Sequence, residues 1–212
     1  GAMEGNEGFA LELVGHSLGG GVAALLALLW RERWPGVHAF AFGAPCVCDL
    51  PLSLALEPHV TSVCMGDDVV NRLGLGTIRD TRDAAIALAS DNEVLMRCWG
   101  LGGSPPAGEE EEQWLQSVVN GLCATMQDDT KLYPPGAVFW LTQREADEAV
   151  FGRRGAASIR RMDNAAFGEI LFSPAFFEDH HSPVYSATLA SVIIPPAQGA
   201  DAPAADATQQ AV

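Results

Sequence analysis

The chain has 212 residues, 48% of them hydrophobic, so it can bury a sizeable core and reads as a globular domain rather than a disordered segment. Its formal net charge is −15, and its twelve basic residues include one lysine, Lys131, so no basic stripe is available to follow a phosphate backbone and nucleic acid is excluded as a partner. The same acidity opposes attraction to an anionic bilayer, so any peripheral contact with a lipid interface must rest on apolar surface.

The first predicted element is a buried strand at Phe9–Val14, a short apolar run ending at Gly15. A helix follows from Gly19 to Trp34, rich in Ala and Leu, with Pro35-Gly36 as its stop. Val37–Phe42 (VHAFAF) predicts a second strand and His59–Met65 (HVTSVCM) a third, each closed by a glycine-containing turn. Strands alternating with helical segments imply an α/β fold with a mostly parallel sheet flanked by helices.

Thr77–Gly100 is read as helical with a broken apolar face, Leu101–Gly108 as a Gly/Pro loop, and Glu109–Glu112 as the acidic first turn of a further helix. Leu132–Leu141 (LYPPGAVFWL) is a turn feeding a fourth strand, Ser158–Met162 a short fifth, and Phe176–Val192 a helix apart from Pro183. The domain is expected to span 9–194, with 77–130 as a helical insertion. Residues 1–8 read as a tag remnant or linker, and the Pro/Ala-rich tail 195–212 as disordered. The longest apolar stretch, Val22–Trp30, is too short to span a bilayer.

Five scattered cysteines, Cys46, Cys48, Cys64, Cys98 and Cys123, lack the paired spacing of a zinc site, and they are expected to be free thiols, with Cys46 and Cys48 facing opposite ways. No metal and no cofactor is expected.

The chemistry lies in Gly15-His16-Ser17-Leu18-Gly19, a G-x-S-x-G pentapeptide between a predicted strand and a predicted helix. Such a tight turn needs flanking positions nearly free of side chains, and it lifts the serine hydroxyl clear of the sheet. The backbone N–H of Leu18, beginning the helix, is then a candidate oxyanion donor. A serine nucleophile needs a histidine base and a carboxylate to orient it. His16 sits inside the elbow and is read as packing or bonding locally, and His38 and His59, at strand starts, are read as structural. His180 and His181 are the candidate bases, late in the chain and beside a helix start. Asp67 and Asp68 directly follow the third strand, at the sheet edge where catalytic groups gather, and are preferred to Asp49.

Five segments in order, LVGHSLGGGVAALLA, FAFGAP, VTSVCMGDDVVNRLG, LYPPG and FGEILFSPAFFEDHHSPVY, resemble the class 3 lipases, particularly the branch holding the diacylglycerol lipases. The resemblance runs from about Phe9 to Leu189 and implies an α/β-hydrolase fold. It puts Ser17 on the family's nucleophile. Asp68-Val69-Val70-Asn71-Arg72 matches the pattern around the triad acid, which selects Asp68. Ser173-Pro174, Asp179-His180 and Tyr185 match the pattern around the base, which selects His180, with His181 the alternative. Ala137 stands where the family often has arginine.

The family also carries its first strands, its lid and a loop giving a second oxyanion donor ahead of the elbow. The chain therefore reads as the C-terminal part of a lipase domain, a partial α/β-hydrolase fold. An unpaired edge at Phe9–Val14 would then favour self-association. The expected activity is that of a serine esterase or lipase acting on acyl esters of neutral glycerolipids such as diacylglycerol or triacylglycerol. The alternative is a catalytically weak or inactive lipase-like module serving interaction or regulation.

Overall fold

The computed structural model describes residues 5–6, 8–98, 108–126, 129–143 and 157–192. The expectations for the tail 195–212, for residues 101–107 and for most of the first seven residues lie outside these.

Among the described residues, five strands form one sheet: β1 (Glu12–His16), β2 (His38–Phe42), β3 (Val60–Met65), β4 (Ala137–Gln143) and β5 (Ala157–Arg161). Their spatial order is the chain order, β1 to β4 parallel and β5 antiparallel to β4. Among the described residues, six α-helices connect and cover them: α1 (Leu18–Trp30), α2 (Leu50–Ala55), α3 (Leu75–Ser90), α4 (Asn92–Cys98), α5 (Glu109–Thr125) and α6 (Ser182–Leu189). Among the described residues, none of the helices is long and apolar enough to cross a membrane.

The two-residue period of a strand divides the core between the sheet's faces. Ala39 and Ala41 of β2 and Val60 of β3 pack with Ala23, Ala24 and Ala27 of α1. Alanines on both partners let this helix approach the sheet closely. The intervening positions Phe42, Val63 and Met65, with Leu141 of β4, face the other way and pack with Val184, Tyr185 and Leu189 of α6. The two inner parallel strands β2 and β3 are accordingly mostly apolar and buried, as expected inside a parallel sheet, whereas β1 is partly exposed and β5 carries the polar, exposed sequence ASIRR.

Several boundaries differ from the sequence reading. β1 begins three residues later than expected and runs through Gly15 and His16, which pair with Ala41 and Phe42. Apolar content located the strand, but backbone pairing ends it at the elbow. The first helix stops at Trp30 and residues 31–33 form turns, with the Arg33 and Trp34 N–H groups both donating to the Trp30 carbonyl. The helical stretch after Thr77 is two helices, divided at Asp91, whose side chain accepts the N–H groups of Glu93 and Val94 and so starts α4 afresh.

The last helix is shorter than the expected Phe176–Val192 because Pro183 fits only its first turn, and residues 174–180 form turns instead. Cys46 and Cys48 lie outside the regular strands, and both are buried free thiols, as is Cys64. The acidic run Glu109–Glu112 forms the first turn of α5.

Candidate active site

Ser17 is the hinge between β1 and α1. Its backbone has φ 57° and ψ −129°, the one positive φ at a non-glycine among the described residues. A conformation so sparsely populated costs on the order of 1–3 kcal/mol and persists only where the surroundings enforce it. The Ser17 N–H donates to the Phe42 carbonyl, and the Gly20 and Gly21 N–H groups return to the Ser17 carbonyl. As the first residue of α1, Leu18 has an N–H with no acceptor inside the helix.

The two glycines of the pentapeptide are not equivalent. A Cβ at Gly15 would run into the Gly19 carbonyl and the Gly20 nitrogen, whereas one at Gly19 would meet nothing within 4 Å. The side-chain-free requirement expected of both flanks therefore holds at Gly15 and not at Gly19. Gly20, beyond the pentapeptide, is the second tight position, with Ala44 Cβ 3.1 Å from where its own would stand.

Asp68 lies just beyond β3, 1% exposed, and its Oδ1 accepts the Val70 N–H, capping the 3-10 turn Val69–Arg72. The Tyr185 hydroxyl, on α6, donates to Asp68 Oδ2 at 2.7 Å. His180 comes from the turn before α6. Its Nδ1 is 3.0 Å from each Asp68 oxygen, and its Nε2 is 2.9 Å from Ser17 Oγ. A carboxylate only accepts, so Nδ1 carries the ring proton and Nε2 is left with a lone pair facing the serine hydroxyl. Such a line can take the hydroxyl proton onto Nε2 while the buried carboxylate steadies the imidazolium.

The remaining candidates fall elsewhere. Asp49 caps α2 through the Leu52 N–H, and Asp67 presents its backbone N–H, not its carboxylate, to Asp179 Oδ2 at 2.8 Å. His181 is exposed at the N-terminal boundary of α6. His38 bonds Thr61, and His59 bonds the Val37 carbonyl. His16 does not bond locally as the sequence suggested, because its Nε2 reaches the carbonyl of His180, 164 residues away. Among the described residues, no group of three or more metal-ligating side chains is gathered.

Sequence reasoning missed the anchoring of Asp179. Burial, with Asp67, Asp68 and Glu178 nearby, pushes its carboxyl pKa up despite the bond from the Asp67 N–H. The structural part played by Tyr185 was also hidden. Burial first, and then the Asp68 carboxylate, push its phenol pKa well above the ordinary value. The signal in both cases was proximity to His180 in sequence, which shows that they are near the site and not what they touch.

The family described as lipase (class 3) matches residues 2–76, a span containing both the elbow and Asp68. Diacylglycerol lipase-beta of Mus musculus is 33% identical over 208 residues, covering 81% of this chain and 30% of that protein. Diacylglycerol lipase-alpha of Homo sapiens is 28% identical over 198 residues, covering 83% and 18% respectively. The chain thus spans less than a third of the length of these curated relatives. The ordered motifs, the mostly parallel sheet and these similarities converge: the chain belongs to the class 3 lipase family, is diacylglycerol lipase-like within it, and carries part of the α/β-hydrolase fold.

Proposed function

We propose that the chain is a serine esterase that hydrolyses acyl esters of neutral glycerolipids through an acyl-enzyme. The observation that carries this reading is the line from Ser17 Oγ through the His180 ring to Asp68, with each contact at 3.0 Å or less, on a serine held at a strained elbow. His180 Nε2 takes the hydroxyl proton as Oγ forms a bond to the ester carbonyl carbon. The Leu18 N–H donates to the oxygen that gains charge. Collapse breaks the bond to the glycerol oxygen, which leaves with the proton from His180, and water then repeats the sequence on the acyl-enzyme.

Support for this substrate class comes from the relatives, which are named as diacylglycerol lipases, and from the surroundings of the site. Leu18, next to the serine, and Phe177, three residues from His180, are 74% and 67% exposed. Apolar side chains flanking the nucleophile and the base suit a lipid substrate or its interface, and a net charge of −15 favours a neutral one.

The test is labelling with a fluorophosphonate probe, together with release of fatty acid from diacylglycerol. Labelling and release that disappear in Ser17→Ala support the proposal. A wild-type protein that takes up no probe and releases no fatty acid sinks it and leaves a lipase-like interaction module.

A further inference from the structure

His16 fills the variable position of the elbow pentapeptide, yet its ring makes no bond to Ser17. It lies instead across the end of β2, over Gly43. A Cβ on Gly43 would stand 3.3 Å from His16 Nε2, 3.2 Å from the Tyr185 hydroxyl and 3.0 Å from Asp68 Oδ2. Gly43 has φ 57°, so both its conformation and the space above it favour the absence of a side chain. Across this gap His16 Nε2 is 2.8 Å from the backbone carbonyl of His180. A carbonyl can only accept, so His16 carries a proton on Nε2 and donates it. Its ring also lies 4.9 Å from the His180 ring and 5.5 Å, edge-on, from that of Tyr185.

His180 needs such support. It belongs to neither a strand nor a helix, and its own N–H makes a long bond of 3.3 Å to the Phe177 carbonyl. The turn that bears it is fixed on one side by Asp179, which accepts the Asp67 N–H at the end of β3. His16 fixes the other side, and it does so from the residue immediately before Ser17. The serine and the backbone of its partner histidine are thereby tied to the same end of the same strand.

We propose that His16 is a positioning residue, whose Nε2–H bond to the His180 carbonyl sets the distance between His180 and Ser17. This rests on the reading of those two residues as base and nucleophile. Displacement of a reacting group by about 1 Å can cost on the order of 10²-fold in rate, so one bond of this kind can matter to turnover without touching substrate.

Two variants separate the donor from the ring. His16→Phe keeps a ring and loses the donor, and His16→Gln keeps an N–H donor at similar reach and loses the ring. On a soluble short-chain ester, His16→Phe is expected to lower kcat about tenfold, the scale of one net hydrogen bond, with KM within about twofold of wild type. His16→Gln is expected to recover most of it. A second readout does not need turnover: the imidazole proton spectrum of His180 in nitrogen-15 labelled protein. The Nδ1–H signal should be sharp in wild type and His16→Gln, and broadened by exchange in His16→Phe.

Unchanged kcat and an unchanged His180 signal in His16→Phe would overturn the proposal. So would equal losses in both variants accompanied by equal falls in Tm, which would make the ring plain packing. A wild-type protein inert toward ester and fluorophosphonate would end the hydrolase reading alone. The His180 spectrum would still decide for or against the brace.

Discussion

The Tyr185 hydroxyl donates to Asp68 Oδ2 at 2.7 Å and at the same time accepts the Met65 N–H at 3.0 Å and the Asn71 amide at 3.2 Å. One oxygen thus uses its donor and both lone pairs inside the core, and it binds α6 to the end of β3 and to the carboxylate behind His180. Tyr185→Phe leaves two buried donors without an acceptor. Urea unfolding should show a loss of about 1–3 kcal/mol per stranded group, with kcat on a soluble ester falling as Asp68 loses its fixed orientation. A variant as stable and as active as wild type would contradict this account.

The asymmetry of the elbow glycines gives a paired test. Gly15→Ala forces a methyl into the Gly19 backbone and should prevent accumulation of folded protein or remove fluorophosphonate labelling. Gly19→Ala opens onto free space in a helical turn, where alanine is favoured over glycine by roughly 1 kcal/mol. Its Tm should match or exceed that of wild type with labelling retained.

Asp179 sets a pH dependence of defined sign. Its folded pKa is raised, so between the unfolded and folded values the native state holds more protons than the unfolded chain. The contribution of this group to stability is therefore greatest below the unfolded pKa, about 4, and falls away as pH rises through the folded value. Asp179→Asn keeps an oxygen to accept the Asp67 N–H and discards the repulsion. Differential scanning calorimetry should find it at or above the wild-type Tm at pH 7, with the difference shrinking toward pH 4. A lower Tm at pH 7 would refute the assignment.

Burial pushes the Cys46 thiol up to about 12 and that of Cys48 to about 11, and it raises Cys64 as well. Thiolate is the reactive form, so iodoacetamide at pH 8 should leave all three unmodified in the folded protein while it reaches the exposed Cys123. Peptide mapping before and after denaturation reads the difference directly.

β1 pairs with β2 alone among the described residues, and Val14 on it is 68% exposed. An apolar strand edge of this kind is a template for pairing between copies, and we carry the expected self-association forward as a proposal. Val14→Lys should then shift the sedimentation of the chain toward the monomer, and a wild-type protein already monomeric at high concentration would dispose of the idea.

How far the sequence reveals this molecule depends on the range of the interaction concerned. The elbow was legible because strand, turn and helix are consecutive, and the choice of Asp68 and His180 as candidates followed from motif order. What Asp179, Tyr185 and His16 touch was not legible, since each bond joins segments more than a hundred residues apart. Gly43 illustrates the limit. Its local sequence, FGAP, marks a turn, and only the fold shows three polar groups from other elements meeting above it. The break at Asp91 and the late start of α6 were signalled by a capping aspartate and by Pro183, but an apolar pattern running across both positions concealed them.

The sheet is laid down in chain order, each strand beside the one synthesised before it, while Ser17 and His180 stand 163 residues apart. On a ribosome adding about 5–20 residues per second, β1, α1 and β2 can dock on the order of ten seconds before the histidine emerges. The serine elbow can thus be shaped early, yet it has no base until almost the last helix has been made. Fluorophosphonate uptake by the nascent chain would then time the closing step of folding, and nascent lengths ending before His180 should take up no more probe than chains carrying Ser17→Ala.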